Sequence, residues 1–180
     1  MMRTRCIFKD SDLSCVLLPL LEGRVFHVSR LSNVSAILRA GAIMPNVAGR
    51  LRSTFGHATH AFFAHCGCVS MFDLRSSRPG QGGDDDPLWR CSPWRAAADD
   101  SGVAIFVLAP EDCIDLVPWT AWQPSPELII PYVEAGHLGP ISLASVEELF
   151  EIQVEASPDP FLATLQKMGR RQRVSRSLKK

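Results

Sequence analysis

Residues 24–41 read RVFHVSRLSNVSAILRAG, and a change of period inside this stretch decides the fold class. From Arg24 to Ser29 the residues alternate, with Val25, His27 and Ser29 on one face and Phe26 and Val28 on the other. That is the pattern of a strand, and it turns His27 away from the more apolar face. After Ser32 the period changes to three and four. Val34, Ile37 and Leu38 form an apolar stripe, Ser32 stands where an N-cap belongs, and Gly41 stands where the helix should stop. A strand followed at once by a short amphipathic helix packed on it is the seed of a mixed domain.

Working outward, 61–74 (AFFAHCGCVSMFDL) is apolar with small residues interleaved and predicts a buried strand interrupted at Gly67. Strand signals return in GVAIFVLAP from Gly102 and around ELIIPYVEAG from Glu127. In ISLASVEELFEIQVE, Ser145 and Glu148 have the spacing of a capping box, while Phe150, Ile152 and Val154 alternate like a closing strand. Several strands, few helices and a mixed order predict an α+β domain over residues 1–166. Residues 75–101 hold five aspartates and two tryptophans amid glycine and proline, the composition of a long loop bordering a ligand cleft.

The chain has 180 residues and nineteen residues of each charge. Seven basic residues follow Gln166, so residues 1–166 carry a net −7 and the tail 167–180 carries +7. An acidic body excludes a broad polyanion-binding face and leaves nucleic-acid contact to the tail or to a local pocket. Six scattered cysteines are too few for a disulfide framework and fit a reducing cytoplasm. Asp10, Asp12 and Glu22 flank the early apolar run, so a secretory leader is not expected, and no apolar run approaches the length of a membrane span.

Two constellations carry chemistry. His57, His60, His65, Cys66 and Cys68 crowd one short segment, but C-x-C is tighter than usual zinc spacing and no second pair follows. A metal is therefore not expected, and a metal- or cysteine-dependent hydrolase is the weaker alternative. Gly80, Gly82 and Gly83 are not followed by Lys-Ser/Thr, and Asp84–Asp86 would repel phosphate, so they are no P-loop. The second constellation is a histidine in an early strand, Ser70 in a middle strand and Glu134 in a late one.

That order resembles the ADP-ribosyltransferase superfamily, and most closely the DarT-type enzymes that modify DNA. Their opening pattern H-x-T-x-x-x-N-L-x-x-I-L-x-x-G is matched without a gap by His27, Ser29, Asn33, Val34, Ile37, Leu38 and Gly41. Their late motif, a glutamate six residues before an I-P-L-like triplet, is matched by Glu134 and Ile141-Ser142-Leu143. The likeness spans about residues 24–45 and 126–146. CVSMFD departs from the family's middle strand, and the arginine of the DNA-modifying branch has only Arg50 and Arg52 as candidates.

The resemblance implies a split β-sheet sandwich with a few short helices, using NAD as substrate. It implies Glu134 and His27 as the catalytic pair, and His27, Ser29, Asn33, Ser70 and Tyr132 as NAD-binding residues. His27 and Glu134 are then expected on adjacent strands facing one cleft, and a placement on opposite faces would count against the transferase and leave a binding module. Free N–H groups at Ser32 and Asn33 would anchor a pyrophosphate. The residue types suit the chemistry, since a carboxylate beside the ribose stabilises an oxocarbenium-like transition state. Trp89, Trp94, Trp119 and Trp122 are candidates for stacking on a base. The implied acceptor is a nucleic acid or a protein, with an antitoxin or other protein partner in a conflict system. The alternative from another class is a non-catalytic binding or inhibitor module on the same scaffold.

Overall fold

A computed structural model describes residues 1–8, 13–48, 63, 66–75, 102–121 and 133–154. Its centre is the most apolar run of the chain. Val103–Leu108 (β5) has no polar side chain, and all six of its residues are buried. A strand of that kind needs partners on both edges and cover on both faces. It pairs antiparallel with Val25–Arg30 (β2) on one edge and with Val146–Val154 (β9) on the other.

Beyond β9 lies Met2–Phe8 (β1), parallel to it. Beyond β2 lie Cys68–Asp73 (β4), Glu134–Leu138 (β7) and Leu116–Pro118 (β6), so the seven-stranded order is β1-β9-β5-β2-β4-β7-β6. Ala42–Ile43 (β3) and Ile141–Ser142 (β8) make a separate two-stranded sheet. Two helices whose full span lies among the described residues are Leu13–Leu21 (α1) and Val34–Ala40 (α2). The fold is α+β, mostly sheet with few short helices, and no helix among the described residues is long and apolar enough to cross a membrane.

Both faces of the large sheet carry core. On one, Leu17 and Leu21 of α1 pack with Phe26, Val28, Phe72, Ile105 and Ile152. Phe26 and Phe72 stack there at 5.3 Å between centroids, a geometry that adds about 0.5–1.5 kcal/mol beyond burial. On the other, Val25, Met71, Phe106 and Leu149 meet Val34, Ile37 and Leu38 of α2 together with Ile43 and Ile141. The face holding His27 is therefore covered as well, contrary to the expectation that one face is clearly less apolar.

One ladder is incomplete. β2 and β4 are each six residues long, yet they pair only at Val25–Asp73 and Phe26–Phe72. β2 stays on β5 as far as Arg30, and β4 stays on β7 as far as Cys68. The sheet consequently opens between β2 and β4 from His27 onward.

Several local expectations are corrected. Ser145 and Glu148 do not cap a helix: Ser145 ends a 3-10 turn, and Glu148 lies inside β9, where its carboxylate accepts from Arg24 Nη1 at 2.9 Å. Two waiting backbone ladders, on β5 and β1, outweigh a capping preference. Ser32 is not the cap of α2 but an exposed member of a 3-10 turn, Leu31–Asn33, and Asn33 holds the N-cap position without a side-chain cap bond. Gly41 does end α2, at φ 69°. The strand expected over 61–74 starts only at Cys68, after a turn at Gly67, and Phe63 is helical. In the N-terminal stretch considered above for a leader, Met2–Phe8 is an edge strand and Leu13–Leu21 a helix.

Candidate functional site

The opening between β2 and β4 gathers the polar residues singled out from the sequence. Asp73 N–H donates to Val133 C=O at 2.7 Å, and Leu74 N–H donates to Arg24 C=O at 2.9 Å. Backbone groups of odd-numbered β4 residues thus face β7, and those of even-numbered residues face β2. The Ser70 carbonyl therefore points at β2, where a continued ladder would supply the Val28 N–H. The His27 imidazole takes that place, with Nδ1 lying 2.8 Å from the Ser70 oxygen. A carbonyl only accepts, so Nδ1 carries the hydrogen and Nε2 keeps a lone pair. Burial pulls the His27 pKa below its ordinary value, and the weaker opposing influence of the Ser70 carbonyl does not reverse it, so the ring is neutral at pH 7.

Ser70 connects His27 to the carboxylate. Its hydroxyl donates to Glu134 Oε1 at 3.3 Å, while its carbonyl accepts from His27. His27 and Glu134 are thus not on adjacent strands, because β4 lies between β2 and β7. Pleat alternation sends them to different sides. His27 pairs with Phe106 and Ser29 with Ala104, whereas Glu134 pairs with Phe72, which pairs with Phe26. In a closed sheet that would separate them. Because the ladder ends at Phe26–Phe72, the imidazole reaches the free edge of β4 and meets the Ser70–Glu134 pair edge-on.

Ser29 is 7% exposed, and its hydroxyl accepts from Asn33 Nδ2 at 3.2 Å. This bond ties the start of α2 to β2 beside His27. Ser32 and Asn33, whose N–H groups were expected to anchor a pyrophosphate, lie in the 3-10 turn that precedes the seven-residue α2, and the next N–H, that of Val34, is bonded to Leu31 C=O. On the β2 edge facing the opening, Val28 offers an N–H and a C=O that no β4 residue pairs.

Tyr132, Arg50, Arg52, His57, His60, His65, Trp89, Trp94, Trp122, the 76–101 part of the long loop and the 167–180 tail lie outside the described residues. Cys66 is exposed and Cys68 buried, and burial raises the Cys68 thiol pKa. That direction works against Cys68 as the permanently ionised thiolate of a cysteine hydrolase. Among the described residues, no group of three or more His, Cys, Asp or Glu is placed to hold a metal ion.

Sequence reasoning missed Phe63, which is fully buried over Gly136 against Cys68, Val117 and Trp119. The readable signal was Gly136 itself, since a glycine within a strand marks a close approach by another group. No family model, curated protein or solved structure matches the chain.

Proposed function

We propose that this protein is an NAD-dependent mono-ADP-ribosyltransferase-like enzyme, acting on a nucleic acid or protein acceptor, whose split sheet receives NAD between β2 and β4. The observation that carries the reading is the chain His27–Ser70–Glu134 at the place where the sheet opens. The reaction breaks the bond between nicotinamide and ribose C1′ and forms a bond from C1′ to an acceptor nucleophile. Positive charge builds on the ribose in between, and the Glu134 carboxylate, steadied by the Ser70 hydroxyl, is the group that stabilises it. His27, neutral and with Nε2 available, accepts a hydrogen bond from a ribose hydroxyl. The Val28 N–H and C=O match the acceptor and donor of a carboxamide such as that of nicotinamide.

One observation favours a second reading. His27 and Glu134 leave the sheet on different sides and meet only through Ser70, an arrangement that also serves a non-catalytic binding module. Incubation with labelled NAD and separate pools of DNA, RNA and protein decides between them. The enzyme reading expects nicotinamide release with label transferred to one pool, and release without transfer identifies a hydrolase. If NAD binds and is recovered intact from every pool, the module reading replaces the enzyme.

A further inference from the structure

The sequence C-G-C at residues 66–68 belongs to neither reading, and the fold gives it a definite geometry. Gly67 has φ 71° and lies in a turn with Cys66, so the chain is not extended between the two cysteines. Two residues of extended chain span about 6.6–7.2 Å, at or beyond the upper end of the roughly 4.4–6.8 Å between Cα atoms that a disulfide tolerates. A turn in place of extended chain at Cys66 and Gly67 favours a shorter span. The Cys68 thiol also points back, with Sγ 3.8 Å from the Cys66 carbonyl oxygen. Accessibility is divided between the two, because Cys66 is exposed while Cys68 is 2% exposed.

We propose that Cys66 and Cys68 are a thiol pair that a small disulfide such as oxidised glutathione converts into an intramolecular Cys66–Cys68 disulfide. Burial fixes the order of events. The Cys66 thiolate attacks the small disulfide, forming a mixed disulfide and releasing one glutathione thiolate, which takes up a proton. The Cys68 thiol then loses its proton, and its sulfur attacks the Cys66 sulfur and expels the second glutathione. Two thiols and one disulfide become one disulfide and two thiols, so atoms and electrons balance. Cys68 itself is out of reach of glutathione and serves only as the resolving thiol.

Closure also reaches the proposed site. Cys68 packs on Phe63 beside Val117 and Trp119, and it lies two residues before Ser70 on the same face of β4. Drawing its sulfur toward Cys66 loosens that packing and the Ser70–Glu134 contact. This consequence for activity, unlike the disulfide itself, rests on the transferase reading.

The test treats the full chain with oxidised glutathione and maps its peptides by mass. The expected product is a peptide holding Cys66 and Cys68 that has lost two hydrogens and carries no glutathione, with faster hydrogen exchange at Val69–Met71. Cys68→Ser should stop at a glutathione adduct on Cys66, and Cys66→Ser should leave Cys68 reduced. A wild-type protein that retains the adduct on Cys66, or does not react there, overturns the proposal. If the protein turns over NAD, oxidation should lower the wild-type rate severalfold and spare Cys66→Ser. Mapping and exchange give their answer even if no NAD is consumed, so failure of the transferase reading is told apart from failure of the thiol pair.

Discussion

Gly136, paired with Ser70, is the residue through which the packing beside the proposed site is most sharply tested. A Cβ placed there would lie 2.8 Å from Phe63 Cε1, nearer still to Cδ1, and 3.1 Å from the Cys68 Cβ. Phe63 is completely buried, so its ring has nowhere open to retreat. Gly136→Ala therefore overpacks the cluster, which costs about 1–3 kcal/mol. The lower chain entropy of alanine in the unfolded state offsets about 0.4–1 kcal/mol of this. A net loss of roughly 1–2 kcal/mol should move a urea midpoint down by about 0.5–1.5 M at common slopes. The decisive measurement is the double-mutant cycle with Phe63→Ala, which alone costs about 3–5 kcal/mol. Once the ring is gone, adding Gly136→Ala should be neutral or mildly stabilising, giving a coupling of at least about 1 kcal/mol. Additive midpoints, or a Gly136→Ala protein as stable as the parent, would refute the close approach.

Glu134→Gln should reduce NAD turnover on the order of a hundredfold while NAD affinity stays nearly constant, because the charge it stabilises exists only in the transition state; an equal fall in both would give Glu134 a binding role. Burial holds the His27 pKa below 6.5, so the unfolded chain takes up a proton near pH 6.5 before the folded one does. Stability should therefore decline as pH drops below about 6.5, and His27→Gln should decline less between pH 7.5 and 5.5 in urea melts; parallel profiles would contradict this. Glu151 is buried between Arg3 and Arg5, accepting from Arg3 Nε at 2.9 Å and from Arg5 Nε at 2.7 Å. Glu151→Gln should speed hydrogen exchange in Met2–Phe8 before any other strand, and unchanged protection there would mean that backbone pairing alone holds β1.

Elements with one dominant local signal were legible in the sequence. The all-apolar run of β5, the alternation of β2 and the Val34–Ile37–Leu38 stripe ending at Gly41 each state their structure without reference to distant residues. The Ser145–Glu148 spacing misled because a capping preference is worth less than ladders on both sides, and those ladders come from residues far away in the chain. β1 was invisible for the same reason: MRTRCIF becomes a strand because β9 offers an edge and Glu151 a partner for Arg3 and Arg5. At the site, the order of His27, Ser70 and Glu134 was readable. That the Ser70 carbonyl rather than a shared face joins them was not, because it depends on a ladder stopping after two pairs, which no pattern of side chains encodes.

The pairing of β1 with β9 joins Met2 to Glu148 and Phe8 to Val154. During synthesis, β1 leaves the ribosome long before β9, its one neighbour among the described strands, has been made. At roughly 5–20 residues per second, that wait lasts many seconds, during which an apolar-edged segment is free to pair elsewhere. The arginines of β1 then have a use before folding as well as after it. Two positive charges in seven residues disfavour edge-to-edge pairing of the waiting strand, and they are drawn into salt bridges only when the closing strand brings Glu151 within reach.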